Sequence, residues 1–462
     1  MREKDLFKLF NYMENDEKEF EHINESMNDV QKNNLKSNLR KTIKCKKHSR
    51  KKYIAIAAAI SICCVIGANA NSGFAKDIPI LNSVMQTITN KYDGNEEYDK
   101  YSKAINKTAE DKGIKFTVNE AVCDDSQLVI SCTLNSNKKI KVDNEDISSL
   151  FLGNYISING KKERLGGGMQ WENVDDNTII GVCELDVEDK KLGGDFKVDL
   201  NVDKIFNTSG KWDLSFNVSK KALEEKTLKV KPNIKVDFPN NTLVVDKVSL
   251  NPINTSIFIK GKYKNKESQG KIKGYNLFDY GYWIILDDKG VELFQKGSSG
   301  ESQGVFNING YKYKLDLESL KQTPKYLTVI PCEFTRNTEE KNKFKEVKVP
   351  INGQYPIKIN QGKMGNLIIN DIKNEDNKTI IKYTADGQFP YNQANKLLVK
   401  DEQGNELEIY NMCKRRENRN KPREFVLKVE KLQPNKKYFL CSDTIDNIKT
   451  MKEYIFKIPI TK

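Results

Sequence analysis

The side chains able to do chemistry are few, and their spacing argues against catalysis. The chain holds two histidines, His22 and His48, so none lies in the long C-terminal part. That removes Ser-His-Asp and Cys-His nucleophilic catalysis from this part, along with the usual His-containing zinc sites. Near the N-terminus, His22, His48 and Cys45 lack the His-x3-Cys-x2-Cys spacing of a zinc-holding module, so no metal site is expected. Carboxylate-only hydrolysis needs just two acids flanking a bond. The adjacent acids Asp124-Asp125, Asp175-Asp176 and Asp287-Asp288 sit in turn-like settings, where such pairs ordinarily read as solvated charge. The Asp/Asn clusters lack EF-hand spacing, and no Gly-rich loop precedes a Lys-Ser/Thr helix start. The expectation is a protein that is not an enzyme and takes no cofactor.

Nine cysteines divide into Cys45, Cys63 and Cys64 near the N-terminus and Cys123, Cys132, Cys183, Cys332, Cys413 and Cys441 beyond. Cys123 and Cys132 flank a hairpin-like connection, and Cys413 and Cys441 fall in one unit. Either pair could cross-link if its strands face one another. Buried free thiols fit these strand patterns equally well, and Cys183 and Cys332 have no evident partner.

The elements that would position these groups are strands. Three stretches open alike: IKFTVNEAVCDDSQLVISCTL from Ile114, TLVVDKVSLNPINTSIFIKGKY from Thr242 and NLIINDIKNEDNKTIIKYTADG from Asn366. Each is a β-branched strand, a polar link and a second alternating strand. Each unit has a similar later segment, beginning at Phe196, Tyr313 and Phe425, in which Trp212, Tyr326 or Tyr438 heads a further strand. The openings recur about every 125 residues, a common domain size. Apolar-in, polar-out strands at this spacing predict tandem immunoglobulin-like antiparallel β-sandwiches, over residues 112–229, 230–355 and 356–462.

The formal charge of +13 is unevenly spread. Met1 to Lys52 carry 14 Lys plus Arg against 9 Asp plus Glu, and seven of those bases fall between Lys41 and Lys52. The remainder is mildly basic with interspersed signs, which fits a solvated surface and no nucleic-acid partner. After Lys46, Lys47, Arg50, Lys51 and Lys52 comes YIAIAAAISICCVIGANA, Tyr53 to Ala70. This uncharged run is near the short end of a bilayer span. The one-sided basic flank predicts a cytosolic N-terminus and extracytoplasmic C-terminal domains; cleavage after Ala70 is the competing reading. Residues 1–52 then form a cytosolic arm and 71–111 a juxtamembrane segment. Phe74, Ile78, Ile80, Leu81, Val84, Met85 and Ile88 make an amphipathic stretch fit to lie on a bilayer or cover the first folded domain. In the arm, Phe20, Ile23, Met27 and Val30, then Leu35, Leu39 and Ile43, recur at helical spacing. Such short helices need a partner to cover them.

The basic run Lys46 to Lys52, the apolar span and NSGFAKDIPILNSVMQTI from Asn71 to Ile88 together resemble the DUF4179 family of membrane proteins, with a following DUF5643-like region. That resemblance implies an intracellular arm, one transmembrane helix and extracytoplasmic β-sandwiches. It also implies an association with extracytoplasmic-function sigma factors; it brings no catalytic residues. The function expected from all this is a membrane regulator. Its sandwiches sense an envelope ligand, and its arm docks a cytosolic partner such as a sigma factor through residues 1–43, with Val30, Leu35, Leu39 and Ile43 as the docking face. The alternative is a structural or adhesive envelope-binding protein with no signalling role.

Overall fold

Alternating apolar residues build 26 strands among the described residues, and every pairing is antiparallel. The computed structural model describes residues 83–92, 97–140, 150–264, 282–302, 310–334, 345–411, 415–446 and 448–460. The chain divides into two units, Met1–Pro79 and Ile80–Lys462, and all described residues belong to the second.

The first sandwich comprises β1 (Lys103–Asp111), β2 (Ile114–Cys123), β3 (Gln127–Ser136), β4 (Ile156–Ile158), β5 (Lys161–Lys162), β6 (Gly167–Asp175), β7 (Thr178–Asp186), β8 (Asp195–Ile205) and β9 (Thr208–Ser219). Its sheets run β1-β2-β3-β7-β6 and β5-β4-β8-β9. Phe116, Ile130, Leu134, Val198, Leu200 and Phe216 fill the space between them around Trp212, which is fully buried. A buried indole needs a partner for its N–H, and Trp212 Nε1 donates to the Ile114 carbonyl at 2.9 Å.

The second sandwich uses β10 (Leu228–Val230), β11 (Ile234–Asp237), β12 (Asn241–Asn251), β13 (Asn254–Tyr263), β14 (Tyr282–Leu286), β15 (Gln295–Ser302), β16 (Gly310–Leu317) and β17 (Tyr326–Phe334). The third uses β18 (Glu346–Pro350), β19 (Ile357–Asn360), β20 (Asn366–Glu375), β21 (Lys378–Ala385), β22 (Leu398–Asp401), β23 (Glu424–Glu430) and β24 (Tyr438–Asp443). The chain ends with β25 (Ile448–Thr450) and β26 (Phe456–Pro459). The larger sheets run β10-β12-β13-β16-β15, with β11 also on β12, and β19-β20-β21-β23.

The three similar openings are the hairpins β2–β3, β12–β13 and β20–β21. Each carries one extra residue at the same place, where the register slips past Asn119, Asp246 and Asn370. A bulge turns the following side chains to the other face. That is why the core positions of β2 pass from Phe116 and Val118 to Ala121 and Cys123.

The later segments align differently from the sequence reading. Sheet order makes β7 of the first sandwich the counterpart of β16 and β23, and β8 the counterpart of β17 and β24. In the first sandwich β8 pairs with the strand that follows it, β9. The other two exchange that last strand. β18, which follows β17, pairs with β24, while β25 and β26, which follow β24, pair with β17. Residues 448–460 thus complete the second sandwich, although they fall in the stretch expected to form the third.

The stretch around Val84 to Ile88 packs on protein. Helix α1 (Val84–Tyr92) lays Met85 and Ile88, both fully buried, against Val122, Val129, Ile180 and Val182 on the outer face of the larger first sheet. The Glu120 carboxylate accepts the Met85 N–H at 3.1 Å and the Ser83 hydroxyl at 2.8 Å, holding the start of the helix. The strand β1 occupies the end of the expected juxtamembrane segment and pairs with β2.

The expected fold class requires correction. The described chain is predominantly β-strand in several sheets, and among its residues no helix is long and apolar enough to cross a membrane. The span expected at residues 53–70 lies outside the described residues, and no described helix carries a single-pass architecture.

Candidate functional site

The first and second sandwiches meet through the tips of their equivalent hairpins. At the first tip, Asp124 Oδ1 accepts the N–H groups of Ser126 and Gln127, at 2.6 and 2.8 Å. At the second, Asn251 Oδ1 accepts those of Ile253 and Asn254, both at 2.9 Å. Short Asx side chains close turns in this way. The spare atoms then join the tips, Asn251 Nδ2 donating to Asp124 Oδ2 at 2.7 Å. Asp124 is therefore buried, not the solvated charge its setting suggested, and so is Asp287, which closes its own turn onto Lys289 and Val291.

Beside the tips lies a cleft of about 720 Å³ between the two sandwiches. Arg164, Gly166, Gly167, Asp186 and Glu188 to Lys190 line one wall. Asp246, Lys247, Lys260, Ser299, Lys312 and Lys314 line the other. Alternation along β16 puts Tyr311 and Leu315 in the core and Lys312 and Lys314 on the cleft face. Ion pairs cross the joint: Lys314 to Asp186 at 2.5 Å, Lys312 to Asp189 at 2.7 Å and Lys247 to Glu188 at 3.4 Å. Lys314 is buried and also touches Asp316 at 3.1 Å. Burial alone would lower its pKa, but Asp316 and Asp186 outweigh that and raise it. Burial pushes the Glu188 carboxyl up, against the pull of Lys247. Lys260 likewise holds Asp246 at 2.8 Å. Each of these four cleft carboxylates thus faces its own lysine. Arg164 is exposed on the cleft wall and makes no ion pair among the described residues.

A narrower slot of about 250 Å³ adjoins the cleft and shares Gly167, Asp186, Ser299 and Lys314 with it. It is bordered by Gly167 to Gln170 of β6, Lys296 to Ser299 of β15, and Gln127.

The second and third sandwiches are joined by another buried charge cluster. Arg416 Nη2 and Arg419 Nη1 both donate to Glu318 Oε1 at 2.8 Å, and Arg419 Nη2 to Asp287 at 2.9 Å. Arg416 Nη1 donates to the Glu292 carbonyl at 2.7 Å, and its guanidinium lies 4.8 Å from the centre of the Tyr391 ring. The Glu292 carboxylate accepts the Tyr391 N–H at 2.8 Å. Burial lifts its pKa to about 7, opposed by that bond and by Arg416.

Cys123, Cys132, Cys183, Cys332 and Cys441 are buried free thiols. Burial pushes Cys183 and Cys332 up to about 12, away from the reactive thiolate form. Cys413 lies outside the described residues. Among those residues no group of three or more His, Cys, Asp or Glu side chains is placed to hold a metal ion.

The residues expected to act in the N-terminal part, Val30, Leu35, Leu39 and Ile43 with Lys46, Lys47, Arg50, Lys51 and Lys52, all lie outside the described residues. No described helix is long and apolar enough to reach across a bilayer. The expected regulator, its sigma-factor and lipid-bilayer partners and its single-pass location are corrected accordingly. The cleft lysines went unnoticed in the sequence because YKYKLDL reads as an ordinary solvated face. Nothing in that pattern tells that a second sandwich covers it.

Comparison with known proteins places two domains of unknown function on the chain. DUF4179 matches residues 46–136, which include α1 and β1 to β3, and the family DUF5643 matches residues 227–359, which include β10 to β18. Both domains are present. No curated protein matches the chain. Among solved structures it is similar to "the crystal structure of the conserved domain protein from Bacillus anthracis". That likeness has 15% identity and a TM-score of 0.42, over 61% of this chain and 93% of that one.

Proposed function

We propose that the chain is a structural or adhesive envelope-binding protein without a signalling or catalytic role, and that the cleft between the first two sandwiches is where an envelope polymer binds. The observation that carries this reading is the cleft itself. It has the volume of a ligand site, its carboxylates are neutralised by lysines, and Arg164 remains available to an anionic group.

The test is sedimentation of the full chain with purified bacterial wall sacculi, with and without their anionic polymers. Binding that weakens as salt is added, falls several-fold in Arg164→Glu and releases no soluble sugar supports the reading. Failure to sediment with either preparation, or steady release of wall fragments, overturns it.

A further inference from the structure

The slot beside the cleft has a different character. Successive side chains of a strand point to opposite faces, so a cavity lying over a sheet face meets alternate residues. This slot is bordered by four consecutive residues of β6, Gly167 to Gln170, and four of β15, Lys296 to Ser299, besides Val182, Glu184, Leu185 and Asp186 of β7 and Lys314 and Asp316 of β16. It therefore lies over the faces of β7 and β16 and reaches out along the edges of β6 and β15. Both strands end their sheets, β6 beside β7 and β15 beside β16. Gly297 to Gly300 make no backbone hydrogen bond beyond the ladder to β16 among the described residues. An edge strand in this state offers a row of donors and acceptors to another chain.

Two further observations point to an occupant. A Cβ placed on Gly168 or Gly297 would meet nothing within 4 Å, and neither residue has a positive φ. The protein's own side-chain packing does not require glycine there; Gly297 follows the bulge where the β15 register slips past Lys296, and a glycine in a strand marks such a bulge or the close approach of another backbone. The second is Gln127, which is 3% exposed, lines the slot and leaves its Nε2 donor without a partner. A buried amide donor is costly unless it is satisfied.

We infer that this slot takes an extended polypeptide segment, which adds as a strand along the free edge of β15 with β6 as the opposing wall, one of its carbonyls accepting from Gln127 Nε2. Strand addition draws its affinity from main-chain bonds and its selectivity from alternate side chains. The four bordering residues on each side match a segment of about four residues, roughly 13 Å of strand. The glycines and Ser298 and Ser299 select small side chains, and Lys296, Lys314 and Asp316 select polar ones. The slot shares four residues with the cleft but not Arg164, so the anion-binding reading of the cleft is tested apart from it.

The experiment pans a random twelve-residue phage-displayed peptide library on the immobilised full chain, then measures binding of the enriched peptides made synthetically. Gly168→Val and Gly297→Val fill the slot in space the fold leaves open, and each should weaken binding at least tenfold with an unchanged melting temperature. Arg164→Glu should leave peptide binding intact, whatever it does to wall binding. N-methylation along the peptide should abolish binding at every second position, the signature of one strand edge. Gln127→Leu should lose binding while melting at the same or a higher temperature, since it deletes an unsatisfied donor. The inference is overturned by absence of any enriched peptide or by peptides indifferent to both valine variants. N-methylation without a two-residue period, or wall fragments that bind the slot where peptides do not, would equally overturn it.

Discussion

Glu292 makes the joint between the second and third sandwiches sensitive to pH. The residue is 7% exposed, and burial raises its carboxyl pKa from 4.5 to about 7. Between those values the folded protein holds a proton that the unfolded chain has released. Stability therefore falls as pH rises through this window. The contribution is fully present below 4.5 and lost once pH passes about 7. At 1.36 kcal/mol per pKa unit, the whole window is worth roughly 3 kcal/mol. Glu292→Gln keeps an oxygen to accept the Tyr391 N–H and removes the charge. Thermal unfolding followed calorimetrically from about pH 5 to about pH 8 should show the wild type losing stability by this amount. The variant should lack that decline and be the more stable of the two at the alkaline end. Parallel curves for the two proteins would refute the reasoning, because the slope would then belong to other groups.

Three other perturbations probe the packing. Lys314→Met strands Asp186 and Asp316 without their shared buried cation, and urea unfolding should register a loss of roughly 3–5 kcal/mol, largely recovered when both acids are changed to Asn. Trp212→Ala empties the centre of the first sandwich and should cost roughly 3–5 kcal/mol in the same assay, a loss not relieved by lowering the pH. Removing residues 447–462 takes β25 and β26 from the second sandwich and Phe456 from its edge-on contact with Trp283, whose ring centre is 5.6 Å away. Limited proteolysis of that truncated chain should cut first between residues 228 and 334, leaving 346–443 protected.

The strands were legible because β-branched and aromatic residues alternate so regularly from Ile114 onward, and the three hairpins were legible because they repeat. Even the bulge is written in the sequence, as Val118-Asn119-Glu120, Val245-Asp246-Lys247 and Ile369-Asn370-Asp371, where the period slips by one. What could not be read was pairing between distant strands. β26 carries Phe456 and Ile458, which would suit the edge of either sandwich, and local pattern holds no information about which β17 or β24 receives it. The cleft was illegible for a related reason. Lys312 and Lys314 stand where a solvated strand face would put them, and only the tertiary placement of Asp189 and Asp186 opposite turns that face into a wall. Gln127 is harder still, since a polar residue opening a strand normally finds a partner or water.

The two joints of the molecule are built on different physics, which bears on where a ligand can act. Between the second and third sandwiches the chain crosses twice, and each sheet is completed by a strand that sequence order would give to the other. Parting them means removing β26 from β17 and β18 from β24, exposing backbone groups and core on both sides. Between the first and second sandwiches most bonds are side-chain contacts around Asp124, Asp186, Glu188 and Asp189, joined by one backbone bond from the Glu97 N–H to the Pro252 carbonyl at 3.3 Å and by Ile253 in the apolar cluster under α1. Water and salt compete with the exposed members of that set. Adjustment to a bound polymer or peptide is cheaper there than at any joint held by exchanged strands. The cleft and the slot both open at this first joint, and an occupant that bridges its two walls would tighten it.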